Sequence, residues 1–122
     1  MSQLGSEKCV ACRADSPKVT QAEINNLLPE IPDWEITSEK DVPQLTRLFS
    51  FKGFSAPTDF TMAIASLAEE QGHHPRIILE WGKVSVSWWT HKIRNLHRND
   101  FIMAAKTDQV HNAGENSHTP AR

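Results

Sequence analysis

One stretch constrains the fold of this chain more than any other. In RIILEWGKVSVSWWTH, residues 76–91, Ile77, Leu79 and Trp81 alternate with Ile78 and Glu80. Val84, Val86 and Trp88 then alternate with Ser85, Ser87 and Trp89. A period of two belongs to extended backbone, whose successive side chains point to opposite faces. Gly82-Lys83 supplies a turn between the runs. The pattern predicts an antiparallel hairpin with one face on helices and its serines on the other.

A second hairpin is expected upstream, in WEITSEKDVPQLTRLFSFKGF. Trp34 and Ile36 alternate with polar residues, and Leu48, Phe49 and Phe51 form a β-prone run. SEKDVPQ is turn-like, and Pro43, lacking an amide proton, should limit pairing there. Three helices complete the reading. Thr20 to Glu23, TQAE, fits a capping box, followed by Ala22, Ile24, Leu27 and Leu28 and closed by Pro29 and Pro32. In the central helix, Ser55 or Thr58 caps and Pro57 suits the first turn. Phe60, Ala63, Ile64, Leu67 and Ala68 share one face, and Gly72 stops it. The last helix, NDFIMAAKTDQV, has Asn99 as cap and Phe101, Ile102 and Ala105 inward. The order α-β-β-α-β-β-α predicts an α+β two-layer sandwich, a four-stranded antiparallel sheet with helices on one face. Residues 1–18 read as a lead-in, 19–110 as the domain, and 111–122 as a disordered tail with almost nothing to bury.

At 122 residues, 39% hydrophobic and 23% charged, one soluble domain is expected. A net charge of −2 without a concentrated basic stretch gives no reason to expect nucleic-acid binding. No apolar run could cross a bilayer, and MSQLGSEK lacks a signal-peptide core, so membrane association is not expected and the cytoplasm is. Cys9 and Cys12 form a lone CxxC. That supplies two soft ligands where structural zinc usually takes four, and its setting is not that of a redox helix start. An ordinary N-terminal segment is the plainer reading.

Three histidines carry the functional question. His73 and His74 precede Pro75 at the mouth of the later hairpin, and His91 follows its second strand. His74 lies about eight residues before the turn and His91 about eight after it. An antiparallel pair therefore brings them to one end of the sheet, and Pro75 disfavours helix at His74. Imidazoles are the groups most ready to exchange protons near neutral pH. Three histidines can also hold a metal, although adjacent residues on extended backbone point to opposite sides.

The run Glu69-x3-His73-His74-Pro75, then Trp81, His91 and Asp100, resembles the signature of the pterin-4a-carbinolamine dehydratases. The spacings agree: five residues lie between Pro75 and Trp81, nine between Trp81 and His91, and eight between His91 and Asp100. The resemblance runs from about Ile31 through PDWEI to NDFIMAAKTD, and CVACRADSPKV also resembles bacterial members. One departure is Asn95, where many members carry glycine. Asparagine tolerates a left-handed backbone, so the loop is expected to be kept.

The resemblance implies an α+β fold of this order. It implies homodimers or homotetramers that extend the sheet and pack helices together. It further implies dehydration of a small-molecule pterin carbinolamine to the quinonoid dihydropterin, with no metal and no organic cofactor, and a link to phenylalanine hydroxylase. His73 and His91 become general acids at the leaving oxygen, and His74 binds the pterin and serves as base. Glu69 orients an imidazole, and Trp34 stacks on the ring. Backbone groups around His73-His74 and Trp89-Thr90-His91 bond the pterin edge. Trp81 is expected to pack, and Asp100 to cap the last helix. Two other classes stay open: a dimerisation module acting as a transcriptional cofactor, and a metal-dependent hydrolase.

Overall fold

The computed structural model describes residues 4–10 and 16–117, with side chains through residue 114. A 3-10 turn at Leu4–Ser6 precedes helix α1 (Gln21–Leu27), which runs into a second 3-10 turn at Leu28–Glu30. Strands β1 (Glu35–Glu39) and β2 (Val42–Ser50) follow, then helix α2 (Ser55–Gln71). Strands β3 (Arg76–Glu80) and β4 (Lys83–Trp88), a 3-10 turn at His91–Ile93 and helix α3 (Arg98–Ser117) complete the chain. All strand pairs are antiparallel, in the order β1-β2-β4-β3. The α+β sandwich read from the sequence is the fold observed. Among the described residues no helix is long and apolar enough to cross a membrane.

The alternation that predicted the hairpins also defines the core. Leu45 lies opposite Trp88 and Phe49 opposite Val84 across β2 and β4. These four and Val86 are at most 1% exposed, packed against Phe60 and Ile64 of α2 and Phe101 and Ile102 of α3. Each such burial stabilises by roughly 1.5–3 kcal/mol. Trp88 satisfies its indole N–H by donating to Thr107 Oγ1 at 3.1 Å. The opposite face carries a hydroxyl row, Thr37 to Thr46 to Ser87, at 2.9 Å each, with Leu48 and Ile78 exposed.

Local signals fared well. Thr20 and Glu23 form the expected capping box at 3.1 and 2.9 Å. Gly72 adopts φ 64° and its amide bonds the last carbonyls of α2. Several expectations need correction. Lys40 and Asp41, both left-handed, make a two-residue turn with Glu39 and Val42 as the closing pair. Pro43 then falls at a non-hydrogen-bonded position with its nitrogen turned from β1, and β4 pairing begins only at Leu45. The proline thus costs no ladder bond. The later turn is Trp81-Gly82, one residue earlier than expected. Neither Ser55 nor Thr58 caps α2. Its N-cap is Phe54, and the Thr58 hydroxyl donates back to the Phe54 carbonyl. Ala22 and Ala63 are exposed rather than inward.

Residues 111–117, expected in a disordered tail, are helical. Helix α3 continues to Ser117 because His111 is buried among Phe49, Phe51 and Phe60, with ring centroids 4.9–5.7 Å apart. The rest of the expected tail, 118–122, lies outside the described residues, as does Cys12.

Candidate active site

Gly72 sets the histidines in place. Its left-handed turn ends α2, and the His73 amide still bonds Ala68 O at 3.1 Å, so the chain leaves the helix at a fixed angle. Between there and Arg76 the backbone is neither helix nor strand, and His73 and His74 turn opposite ways. His73 points inward at 5% exposure, while the His74 side chain is 58% exposed. On the neighbouring strand, a bridge between Thr90 and Asn95 turns the chain into the short helix that starts at His91. The three imidazoles converge. Together with Gly72, Thr90 and Lys92 they line one recess of about 250 Å³.

Each of the three rings is held by the same nitrogen. His73 Nε2 meets Asp100 Oδ1 at 2.6 Å, and His74 Nε2 meets Glu69 Oε1 at 2.7 Å. His91 Nε2 meets the backbone carbonyl of His74 at 3.2 Å. Carboxylates and carbonyls only accept, so each Nε2 carries a proton and donates it. In the neutral ring Nδ1 is then the nitrogen without a proton. Two rings are also clamped by tryptophan faces: His73 stacks on Trp88 at 5.9 Å, and His91 on Trp89 at 4.4 Å.

Asp100 has a larger role than the helix cap expected of it. At 0% exposure it accepts from His73, from Thr90 Oγ1 at 2.8 Å and from the His97 backbone amide at 2.9 Å. The last bond is the capping role; the other two tie the start of α3 to both histidine-bearing segments. A buried carboxylate with three donors is well satisfied, which a buried charge requires. His97 was not singled out from the sequence. It is 7% exposed, and its Nδ1 accepts from the Asn99 amide at 3.0 Å. Burial pushes the His97 imidazole below its ordinary range, with Asp100 opposing and His73 assisting.

The imidazole that Glu69 meets is that of His74. Trp89 is half-buried, stacks on His91 and lines the adjoining cavity rather than the recess itself. Thr90 contributes through its hydroxyl to Asp100. Its amide bonds Asn95 O at 3.0 Å, and the His73 amide bonds Ala68 O, so both of these amides are engaged within the fold. Trp34 is not at the site. It is 4% exposed, donates to Asp108 Oδ1 at 2.8 Å and packs edge-on against Phe49. Trp81 does not pack: it occupies the β3–β4 turn at 74% exposure. In the loop after His91 the left-handed residue is Arg94, φ 50°, while the Asn95 side chain accepts from the Leu96 amide at 2.7 Å.

Further cavities occur among the described residues. One of about 270 Å³ shares His91 and is lined by Trp89, Gln44, Arg76 and Arg94. A larger one, about 690 Å³, lies by Phe51, Phe60 and His111 between α2 and α3. It is larger but shares no residue with the histidine recess, where acid–base groups converge. Among the described residues no group of three histidine, cysteine or acidic side chains is placed to hold a metal ion.

The chain has relatives among known proteins. The family model described as pterin 4 alpha carbinolamine dehydratase matches residues 17–110. A relative from Marinobacter nauticus is 54% identical over 91% of this chain and 100% of its own length. One from Nitrosococcus oceani is 53% identical over 90% and 97%. Both are named for pterin-4-alpha-carbinolamine dehydratase activity. A crystal structure from Brucella melitensis, titled a transcriptional coactivator/pterin dehydratase, superposes with a TM-score of 0.69 at 29% identity. The match covers 77% of this chain and 98% of that one. The chain therefore belongs to the pterin-4-alpha-carbinolamine dehydratases, a family of hydro-lyases.

Proposed function

We propose that this protein dehydrates a 4a-hydroxytetrahydropterin to the quinonoid dihydropterin by histidine acid–base catalysis. The observation that carries the reading is the single recess lined by His73, His74 and His91. In the reaction the C4a–O bond breaks and the oxygen leaves as water, taking one proton. The N5–H bond gives up its proton as C4a=N5 forms. One proton goes on, one comes off, and no electrons are exchanged with a cofactor. Hydroxide is a poor leaving group, so a placed acid and a placed base, each worth roughly 10²–10⁴-fold, are what the step demands.

His73 and His91 deliver the proton to the leaving oxygen. His74, exposed at the mouth, binds the pterin and takes the N5 proton. Asp100 holds His73 in the donating orientation, Glu69 does the same more loosely for His74, and Trp89 walls the ring. The product is a pterin that an aromatic amino-acid hydroxylase such as phenylalanine hydroxylase consumes after reduction, which places the reaction in cytoplasmic cofactor recycling. A homodimer or homotetramer fits the exposed Leu48, Ile78, Phe54 and Met62.

The test is stopped-flow ultraviolet spectroscopy of freshly generated carbinolamine, with protein dialysed against chelator. Acceleration undiminished by the chelator is the expected result. Acceleration lost on chelation and restored by zinc would transfer the site to the metal-dependent class. The Brucella protein's title pairs coactivator with dehydratase. A pure interaction module, however, needs no buried carboxylate–imidazole pair.

A further inference from the structure

Five consecutive residues of α3, Phe101 through Ala105, are buried. One apolar stripe covers little more than 100° of a helix, so such a run stays dry only if both sides are covered. The sheet covers one side. The N-terminal segment covers the other: Leu4 is 0% exposed, and its 3-10 turn packs on α3. Polar bonds hold this segment down along its length. Lys106 Nζ donates to the Gly5 carbonyl at 3.0 Å, and Arg98 grips Glu7 through two bonds of 3.0 and 2.6 Å. That guanidinium holds the Glu7 carboxyl below its usual range. The Asn99 side chain pairs with the Val10 backbone in both directions, accepting at 3.1 Å and donating at 2.8 Å. The Cys9 amide donates to Gln71 Oε1 at 3.2 Å.

The last two contacts lie beside the chemistry. Gln71 is two residues before His73, and Asn99 immediately precedes Asp100. The end of α2 and the start of α3 are thus joined twice, once by the 2.6 Å His73–Asp100 bond and once through Gln71, Cys9, Val10 and Asn99. We infer that the N-terminal segment is a strap that sets the His73–Asp100 alignment, with Gln71 and Asn99 as positioning residues. The inference rests on the acid role given to His73 above. It assigns a purpose to the lead-in, which precedes the domain proper, without invoking thiol chemistry.

The test uses full-length Gln71→Ala, Gln71→Glu and Asn99→Ala proteins, with two readouts. One is the ring ¹⁵N spectrum of His73, which reports its tautomer. The other is kcat and KM for carbinolamine dehydration. Gln71→Ala should lower kcat roughly 10-fold with KM little changed, since misplacement costs rate rather than binding. Gln71→Glu keeps an oxygen acceptor for the Cys9 amide and should restore most of it. Asn99→Ala should go further and give His73 a mixed tautomer signal. Lower melting temperatures alone, with wild-type His73 ¹⁵N shifts and wild-type kcat in the alanine variants, would overturn the strap as a positioning device. Because Gln71 is half-buried and near the surface, its variants decide the question even if Asn99→Ala fails to fold. Should the wild type show no dehydratase activity, the functional reading fails, and the ¹⁵N shifts still decide the strap.

Discussion

The molecule contains the same pair twice in two settings. His73–Asp100 and His74–Glu69 are both imidazole–carboxylate contacts through Nε2, at 2.6 and 2.7 Å. In the first the side chains are 6% and 0% exposed; in the second, 58% and 78%. Distance alone would rate them equal. The surroundings do not: water screens the outer pair and competes for its hydrogen bonds, while the inner pair has no such alternative. The inner pair is therefore a fixed orientation, and the outer pair one conformation among several. An enzyme of this kind has use for both. A proton donor must meet a defined oxygen, whereas a residue at the mouth must let the substrate in and out.

The largest effect that would break the comparison is removal of Asp100. Asp100→Ala leaves the His73 imidazole, the Thr90 hydroxyl and the His97 amide without their common acceptor. The expected loss is on the order of 3–5 kcal/mol of stability, the range for breaking a buried pair, read from urea denaturation. Glu69→Ala should cost less than about 1 kcal/mol. Equal losses would show that burial does not separate the two pairs. Next come the rings themselves. His73→Ala and His91→Ala should each lower kcat by roughly 10²–10⁴-fold. His74→Ala should raise KM as well, since the role proposed for His74 is both to bind and to accept a proton, and steady-state kinetics separates these outcomes.

A smaller effect concerns pH. The His97 imidazole is held below its ordinary 6.5, chiefly by burial. Its unfolded form therefore takes up a proton first as the solution is acidified. The stability tied to this group is complete above the ordinary histidine value and is lost as pH falls through the depressed folded value. Melting temperature should drop between pH 7.5 and 5, and the drop should be smaller in His97→Gln. The smallest effect is that of salt: raising ionic strength should weaken the Glu69–His74 contact and leave His73–Asp100 untouched, as ring ¹⁵N shifts would show.

What the sequence disclosed follows the range of each interaction. The β3–β4 hairpin, the Thr20–Glu23 box and the stop at Gly72 depend on neighbours within a few residues, and these were legible. So was the convergence of His73, His74 and His91, because a hairpin folds about its own turn. Even the one-residue error in that turn left them adjacent. Trp34 was misplaced because its partner, Asp108, lies 74 residues away, and nothing local marks an indole as a core donor. Asp100 was legible as a helix-start acid but not as the His73 partner, 27 residues distant. His111 and Leu4 show the same limit: their surroundings are polar in sequence, and only the folded helix α3 gives each an apolar place.

Everything in this account converges on the recess as a proton-transfer site. The most direct measurement is single-turnover dehydration of the carbinolamine by the His73→Ala/His74→Ala/His91→Ala protein, with its far-ultraviolet circular dichroism matched to wild type. The account predicts a rate indistinguishable from that in buffer alone. A folded triple variant that turns over at the wild-type rate would contradict it.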